Sequence, residues 1–200
     1  MGQEGNRDGK ARAMRRSGFL ARFARDRRGS TAIEFAALAI PFSLLVFAIL
    51  ESCISFAGQE VLINATDDLA RQLRTGRLPP GEVTTARLKD AICPQLKIIV
   101  SKDCPGLFID LRTPTTFVEA ATYGYKISDD REKIVLMKGA AQDTKQFVAE
   151  AGPETSINML RVFYKWPVIT DFLAKSMANF KDGTTLHYAT NTWVNEPFGK

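Results

Sequence analysis

Sixteen consecutive residues, Phe35 to Leu50, carry no charge, and the basic pair Arg27-Arg28 and a single carboxylate, Glu34, stand just before them. A helix rises 1.5 Å per residue, so about 20 apolar residues are needed to cross the hydrocarbon layer of a bilayer. If Glu51 is tolerated, the apolar character continues through Ala57, which is long enough. A transmembrane helix over residues 30–58 is therefore expected. Basic flanks stay in the cytoplasm, so the orientation is N-terminus in, with residues from about 58 onward on the far side.

The formal charge of +5 is misleading as an average. Of 27 basic and 22 acidic residues, nine and three respectively lie within residues 1–29, leaving 18 and 19 for the rest of the chain. The excess positive charge is all in the leader, so the basic isoelectric point gives no support for a nucleic-acid-binding domain. Residues 1–17 read as a disordered basic tail. Residues 17–28 (SGFLARFARDRR) fit a short basic amphipathic helix with Phe19, Leu20 and Phe23 on one side, suited to an anionic membrane surface. With 200 residues, the chain fits one modest domain plus a separate hydrophobic segment.

Three readings of the apolar segment compete. It is an ordinary signal anchor, or a cleaved secretory signal with Ser55-Phe56-Ala57 as the small-residue site before Gly58, or a segment processed at its front end. The second reading would release a soluble binding domain, but the apolar run exceeds the usual length and Glu51 lies where such signals have no charge. Glu34 likewise has two readings. At the membrane rim its carboxylate would reach water or pair with Arg27 or Arg28; inside the lipid it would be costly and in need of a partner.

Arg27-Arg28-Gly29, then Ser30-Thr31-Ala32-Ile33, then Glu34 and the apolar run resemble the processing region of type IV pilin-like prepilins. "RRGSTAIEFAALAIPFSLLVFAILE" followed by "INATDDLARQLRTG" is similar more particularly to the TadE-like family, pseudopilins of the tight-adherence (Tad) pilus. "RVFYKWPVITDFL" (161–173) and "WVNEPF" (193–198) are similar to segments of alphaproteobacterial members, while the middle is less recognisable.

The resemblance implies that a membrane-embedded prepilin peptidase cuts between Gly29 and Ser30 at the cytoplasmic face, with Arg22, Arg25, Arg27 and Arg28 as the basic flank. A glycine lets the backbone enter a narrow protease site in extended form. It also implies that Glu34 pairs with the freed amine of Ser30 on a neighbouring subunit. The implied protein is a pseudopilin or minor pilin without catalytic activity. It would sit in the bacterial inner membrane as a single-pass protein, with a periplasmic or extracellular C-terminal domain. Its partners would be other pilins, assembly-platform proteins and the bilayer, and the resemblance allows incorporation into the pilus.

Beyond the span, Val61, Leu62, Ala65, Leu69 and Leu73 recur at helical steps and Gly76 follows Arg74 as a stop, so residues 59–76 continue the helix. The rod would hold about 45 residues, or roughly 65 Å. Pro41 removes one ladder hydrogen bond and is expected to bend its membrane half. "RLPPGE" (77–82) reads as a turn that opens an extracytoplasmic domain over 77–200. Residues 82–92 fit a short helix ending near Cys93-Pro94. Residues 107–113, 122–128, 157–166 and 185–196 fit strands, 168–180 a helix, and 141–150 is ambiguous. The order predicts an α+β fold, pilin-like, in which a small antiparallel sheet packs on the long helix.

Cys53 in the apolar helix behaves as a small hydrophobe. Cys93 and Cys104 lie on the expected oxidising side, and a disulfide between them is the favoured reading, worth about 2–3 kcal/mol in the loop-entropy account. No His or second Cys pair accompanies them, which argues against a metal. A proline follows each of the two, a context that suggests turns.

There is no Gly-x-Ser-x-Gly elbow, phosphate loop or His-Glu-x-x-His motif, so no enzyme, metal or cofactor is expected. His187, the one histidine, lies in an alternating strand pattern and reads as a surface or sheet-edge residue. Asp67-Asp68 and Asp129-Asp130 read as residues that cap or solvate a helix and a turn rather than as cation ligands. Tyr123, Tyr125, Phe163, Tyr164 and Trp166 read as core or sheet residues, with an aromatic box for a small molecule as the alternative.

Overall fold

The structure, a computed structural model, describes residues 30–97 and 103–198. The chain divides into two units, residues 1–47 and 48–200. The described part of the first belongs to helix α1 (Ser30–Arg74) and exposes its apolar side chains, Phe35 and Leu38 by 73% each. Pro41 lies within the helix.

In the second unit α1 becomes a packing surface. Among its buried residues there, Glu51, Ser55, Gly58, Leu62, Ala65, Leu69 and Leu73 follow one another at four- and three-residue steps, the spacing of a single helix face. Gly76, at φ +72°, follows the last turn in the left-handed conformation that closes helices, and its N–H donates to the Leu73 carbonyl at 3.2 Å.

A 3-10 turn (Pro80–Glu82) leads into helix α2 (Thr85–Leu96), capped by Thr84, whose side chain accepts from the Arg87 N–H at 3.2 Å. Such a cap contributes about 1 kcal/mol. The helix starts later and ends later than the sequence suggests. Glu82 is used by the preceding turn. Pro94 is tolerated in the last turn because it is exposed, while Cys93 and Leu96 on either side are buried.

Strand β1 (Leu107–Arg112) is followed by a one-turn helix α3 (Phe117–Thr122) and strands β2 (Tyr123–Ile127), β3 (Ile134–Lys138) and β4 (Ala141–Gln142). Strand β5 (Ile157–Pro167), helix α4 (Asp171–Met177) and strand β6 (Thr184–Val194) are the last of the described elements. The strands form two antiparallel sheets of three, ordered β1-β5-β6 and β2-β3-β4, where the sequence suggested one. The architecture is α+β, a long apolar helix followed by small antiparallel sheets, as expected from the pattern.

Two elements, α3 and β3, were not anticipated, and α4 is shorter than residues 168–180. Residues 168–170 lie outside the helix, and the segment after Ala178 folds back on β6, where the Asn179 and Phe180 N–H groups both donate to the Thr184 carbonyl at 3.0 Å.

Strand β5 is central, and its buried residues divide between two apolar clusters. Leu160, Val162, Tyr164 and Trp166 pack with Leu62, Ala65 and Leu69 of α1 and with Leu88 and Ile92 of α2. Phe163 packs with Ile134, Leu136 and Phe180. The period-2 alternation of a strand sends these two sets to opposite faces. The aromatic residues singled out in the sequence are strand residues here. Phe163 is fully buried against Tyr125 and Tyr188 at ring distances of 5.2 and 4.9 Å.

Buried charges occupy the Phe163 face of the sheet. Arg161 and Asp110, opposite each other in the β1–β5 register, are fully buried and joined by Nη2–Oδ2 at 2.7 Å and Nε–Oδ2 at 3.1 Å. Arg112 donates to the same Asp110 oxygen at 2.7 Å and to Asp143. Arg161 also reaches the Gly124 carbonyl of the second sheet at 2.9 Å, so two cations and two anions tie the sheets together.

Candidate functional site

The site predicted from the sequence lies at the front of α1. Gly29, Arg22, Arg25, Arg27 and Arg28 fall outside the described residues, as does the possible amphipathic helix over 17–28. Ser30 is the first residue of α1, and Glu34 lies one turn inside it on exposed surface. From Thr31 onward the helix is long and apolar enough to cross a membrane.

A second constellation, not assembled from the sequence, holds α1 on the domain. The Glu51 carboxylate is buried and accepts from the Thr170 N–H at 3.3 Å, from the Thr170 hydroxyl at 2.5 Å and from the Ile169 N–H. Its partners are donors that the turn after β5 would otherwise leave without acceptors.

One turn along, Ser55 Oγ lies 3.0 Å from His187 Nε2, and the His187 ring stacks on Trp166 at 5.0 Å with an interplanar angle of 15°. Gly58 follows beneath the Trp166 ring, where an added Cβ would come within 2.5 Å of the indole. Gln59 then pairs with the backbone of Tyr188, donating to its carbonyl at 2.8 Å and accepting from its N–H at 3.2 Å. Polar or small residues thus seat the helix on β5, β6 and the turn between them.

His187 lies on an edge strand, as expected, but it is buried rather than on the surface, because α1 covers it. Burial without a compensating charge pushes its pKa down to about 4, so it is neutral at neutral pH. The Ser55–His187 contact resembles half of a catalytic triad, but both residues are buried and His187 Nδ1 has no hydrogen-bond partner among the described residues. A triad needs an acid at that nitrogen and an open face at the serine, and this pair has neither.

Cys93 and Cys104 are disulfide-bonded, which ties the end of α2 to the turn before β1. Cys104 occupies a turn with φ +44°, whereas Cys93 lies inside α2 rather than in the turn that its following proline suggested. Cys53 is a free and exposed thiol. Asp67 accepts from Asn191 Nδ2 at 3.0 Å, and Asp130 accepts from the Glu132 N–H at 3.0 Å within its turn. Among the described residues no group of three or more His, Cys, Asp or Glu is arranged to hold a metal.

Comparison with known proteins adds one finding and two negatives. The family model described as TadE-like protein matches residues 29–71, about a fifth of the chain. No curated protein and no solved structure matches it. The matched span opens on Gly29 and takes in Glu34, the apolar run and the seat formed by Glu51, Ser55 and Gly58. Residues 29–71 are thus similar to the TadE-like family, the family whose resemblance is read from the sequence.

Proposed function

We propose that the protein is a non-catalytic pseudopilin or minor pilin of a Tad-type adherence pilus, inserted in the bacterial inner membrane and matured by cleavage between Gly29 and Ser30. The observation that carries this reading is the Gly29-x4-Glu34 spacing directly before an apolar helix, inside the span that matches the TadE-like family. The arginine-rich leader holds the N-terminus in the cytoplasm. A prepilin peptidase removes it, and the mature helix enters a bundle with other pilins and assembly-platform proteins. Glu34 then finds its counter-charge in the Ser30 amine of a neighbouring subunit, which offsets the cost of a carboxylate in lipid. The C-terminal domain supplies contacts to other pilus components or to a surface.

Two features support retention of the helix over release of the domain after Ala57. Glu51 and Ser55 lie on the far side of such a cut, and removing them would strip buried partners from Thr170 and His187. A plain anchor would keep the same packing but not the leader processing. Substitution Gly29→Ala tests the proposal in cells: accumulation of the unprocessed precursor is expected, and processing that continues unchanged would overturn it.

A further inference from the structure

The uncharged run Phe35–Leu50 ends against Glu51, and with the few helical residues before Phe35 it reaches the length of about 20 needed to span the hydrocarbon, so Glu51 marks the far boundary of the shortest such span. Glu51 is also the residue to which the turn between β5 and α4 is bonded. Ile169 donates its N–H to that carboxylate, which holds the turn at the level of Glu51, yet the Ile169 side chain is 74% exposed. An isolated exposed isoleucine is ordinary. This one belongs to a level of the molecule at which the helix exposes Ile49, Leu50, Ile54 and Phe56 while burying Glu51 and Ser55 toward the domain. The α4 segment stays at this level, because Met177 Sδ lies 4.0 Å from Ser52 Oγ, and it carries the exposed Lys175.

We propose that the turn after β5, with α4, is an interfacial membrane element: Ile169 enters the headgroup and upper acyl region of the bilayer that α1 crosses, and Lys175 meets anionic lipid phosphates. The chemistry is that of an amphipathic interfacial segment, apolar side chain inward and cation at headgroup level. Glu51 is then a positioning residue. It is withdrawn from lipid by the three donors of Ile169 and Thr170, and through them it fixes the depth of the domain. The inference rests on the reading of α1 as a membrane span, and the experiment separates the two.

The full chain carrying Cys53→Ser is given one new thiol at a time, by Ile169→Cys, Phe56→Cys, Leu45→Cys or Gly81→Cys. Each variant is labelled with an environment-sensitive fluorophore and reconstituted into phosphatidylethanolamine–phosphatidylglycerol vesicles. Gly81 has nothing within 4 Å of an added Cβ and serves as the aqueous reference. Nitroxide lipids labelled near the headgroup should quench positions 169 and 56 about threefold more than position 81, and lipids labelled deep in the chain should quench position 45. Position 169 quenched no more than 81, with 45 still quenched, overturns the interfacial element and leaves the span intact. A label at 169 that is shielded but unquenched indicates cover by protein, such as a second copy, and overturns it equally. Absence of quenching at 45 removes the span and the inference with it.

Discussion

Gly58 sits against the face of Trp166 with no room for a side chain: a Cβ added to the glycine would lie 2.5 Å from the indole Cζ3 and 2.8 Å from Cη2. The indole cannot move aside easily, because it is buried and stacked on His187 on the strand next to it. Alanine gains about 1 kcal/mol of helix propensity over glycine, whereas overpacking a rigid contact costs about 1–3 kcal/mol. Gly58→Ala is therefore expected to lower the unfolding midpoint of the full chain in detergent, followed by tryptophan fluorescence. Gly81→Ala, in open space, should leave it within about 0.5 kcal/mol of the parent.

The Asp110–Arg161 pair predicts a larger effect. Both side chains are fully buried, and removing Asp110 leaves the Arg161 guanidinium without its carboxylate between the sheets. Asp110→Ala is expected to destabilise by about 3–5 kcal/mol in chemical denaturation. The Lys145–Glu150 pair is bonded at a comparable 2.8 Å but exposed, and Lys145→Ala should cost at most about 1 kcal/mol. Replacing both buried partners, Asp110→Leu with Arg161→Met, should recover much of the loss. If the double variant is no better than the single, the penalty does not come from the orphaned Arg161 charge, and Arg112, which also loses Asp110, carries it.

His187 makes stability depend on pH in a defined window. Its folded pKa of about 4 lies below the ordinary value of 6.5, so between these two the unfolded chain binds a proton that the folded chain does not. The associated stability is fully present above about pH 6.5 and is lost progressively as pH falls toward 4. Carboxylates held below their usual range, such as Asp182 beside Thr184 and Lys165, titrate lower still and overlap only the acid end. Denaturation midpoints at about pH 7.5 and about pH 5 should differ for the parent chain. His187→Gln, which keeps a polar group facing Ser55, should narrow that difference; an unchanged difference would assign it to other groups.

Much of the helix was legible because two physical signals coincide in it. The uncharged run marks the apolar length, and Leu62, Ala65, Leu69 and Leu73 mark the face that packs on the domain. The continuation of that face through Glu51, Ser55 and Gly58 was harder to see, because the usual contrast is inverted there. In a segment whose exposed side is apolar, the domain-facing stripe is written in polar and small residues. Four- and three-residue spacing of Glu51, Ser55, Gly58 and Leu62 was the available signal.

Strand β1 illustrates a second limit. LFIDLR reads as half-buried alternation, yet Asp110 and Arg112 are buried too, because a second sheet covers the face that would otherwise meet water. No local pattern announces that cover, since its strand β3 is only five residues long and pairs with β2 and β4 rather than with the central sheet. The Cys93–Cys104 spacing was readable, whereas the helical setting of Cys93 depended on the burial of Leu96 beyond Pro94.

The central claim is that α1 is the mature N-terminus of a pilin-like subunit, and the most direct test is N-terminal sequencing of the protein isolated from membranes. The account predicts a chain that starts at Ser30. A start at Gly58 would identify a secreted domain, an intact leader would identify a plain anchor, and either result would contradict it.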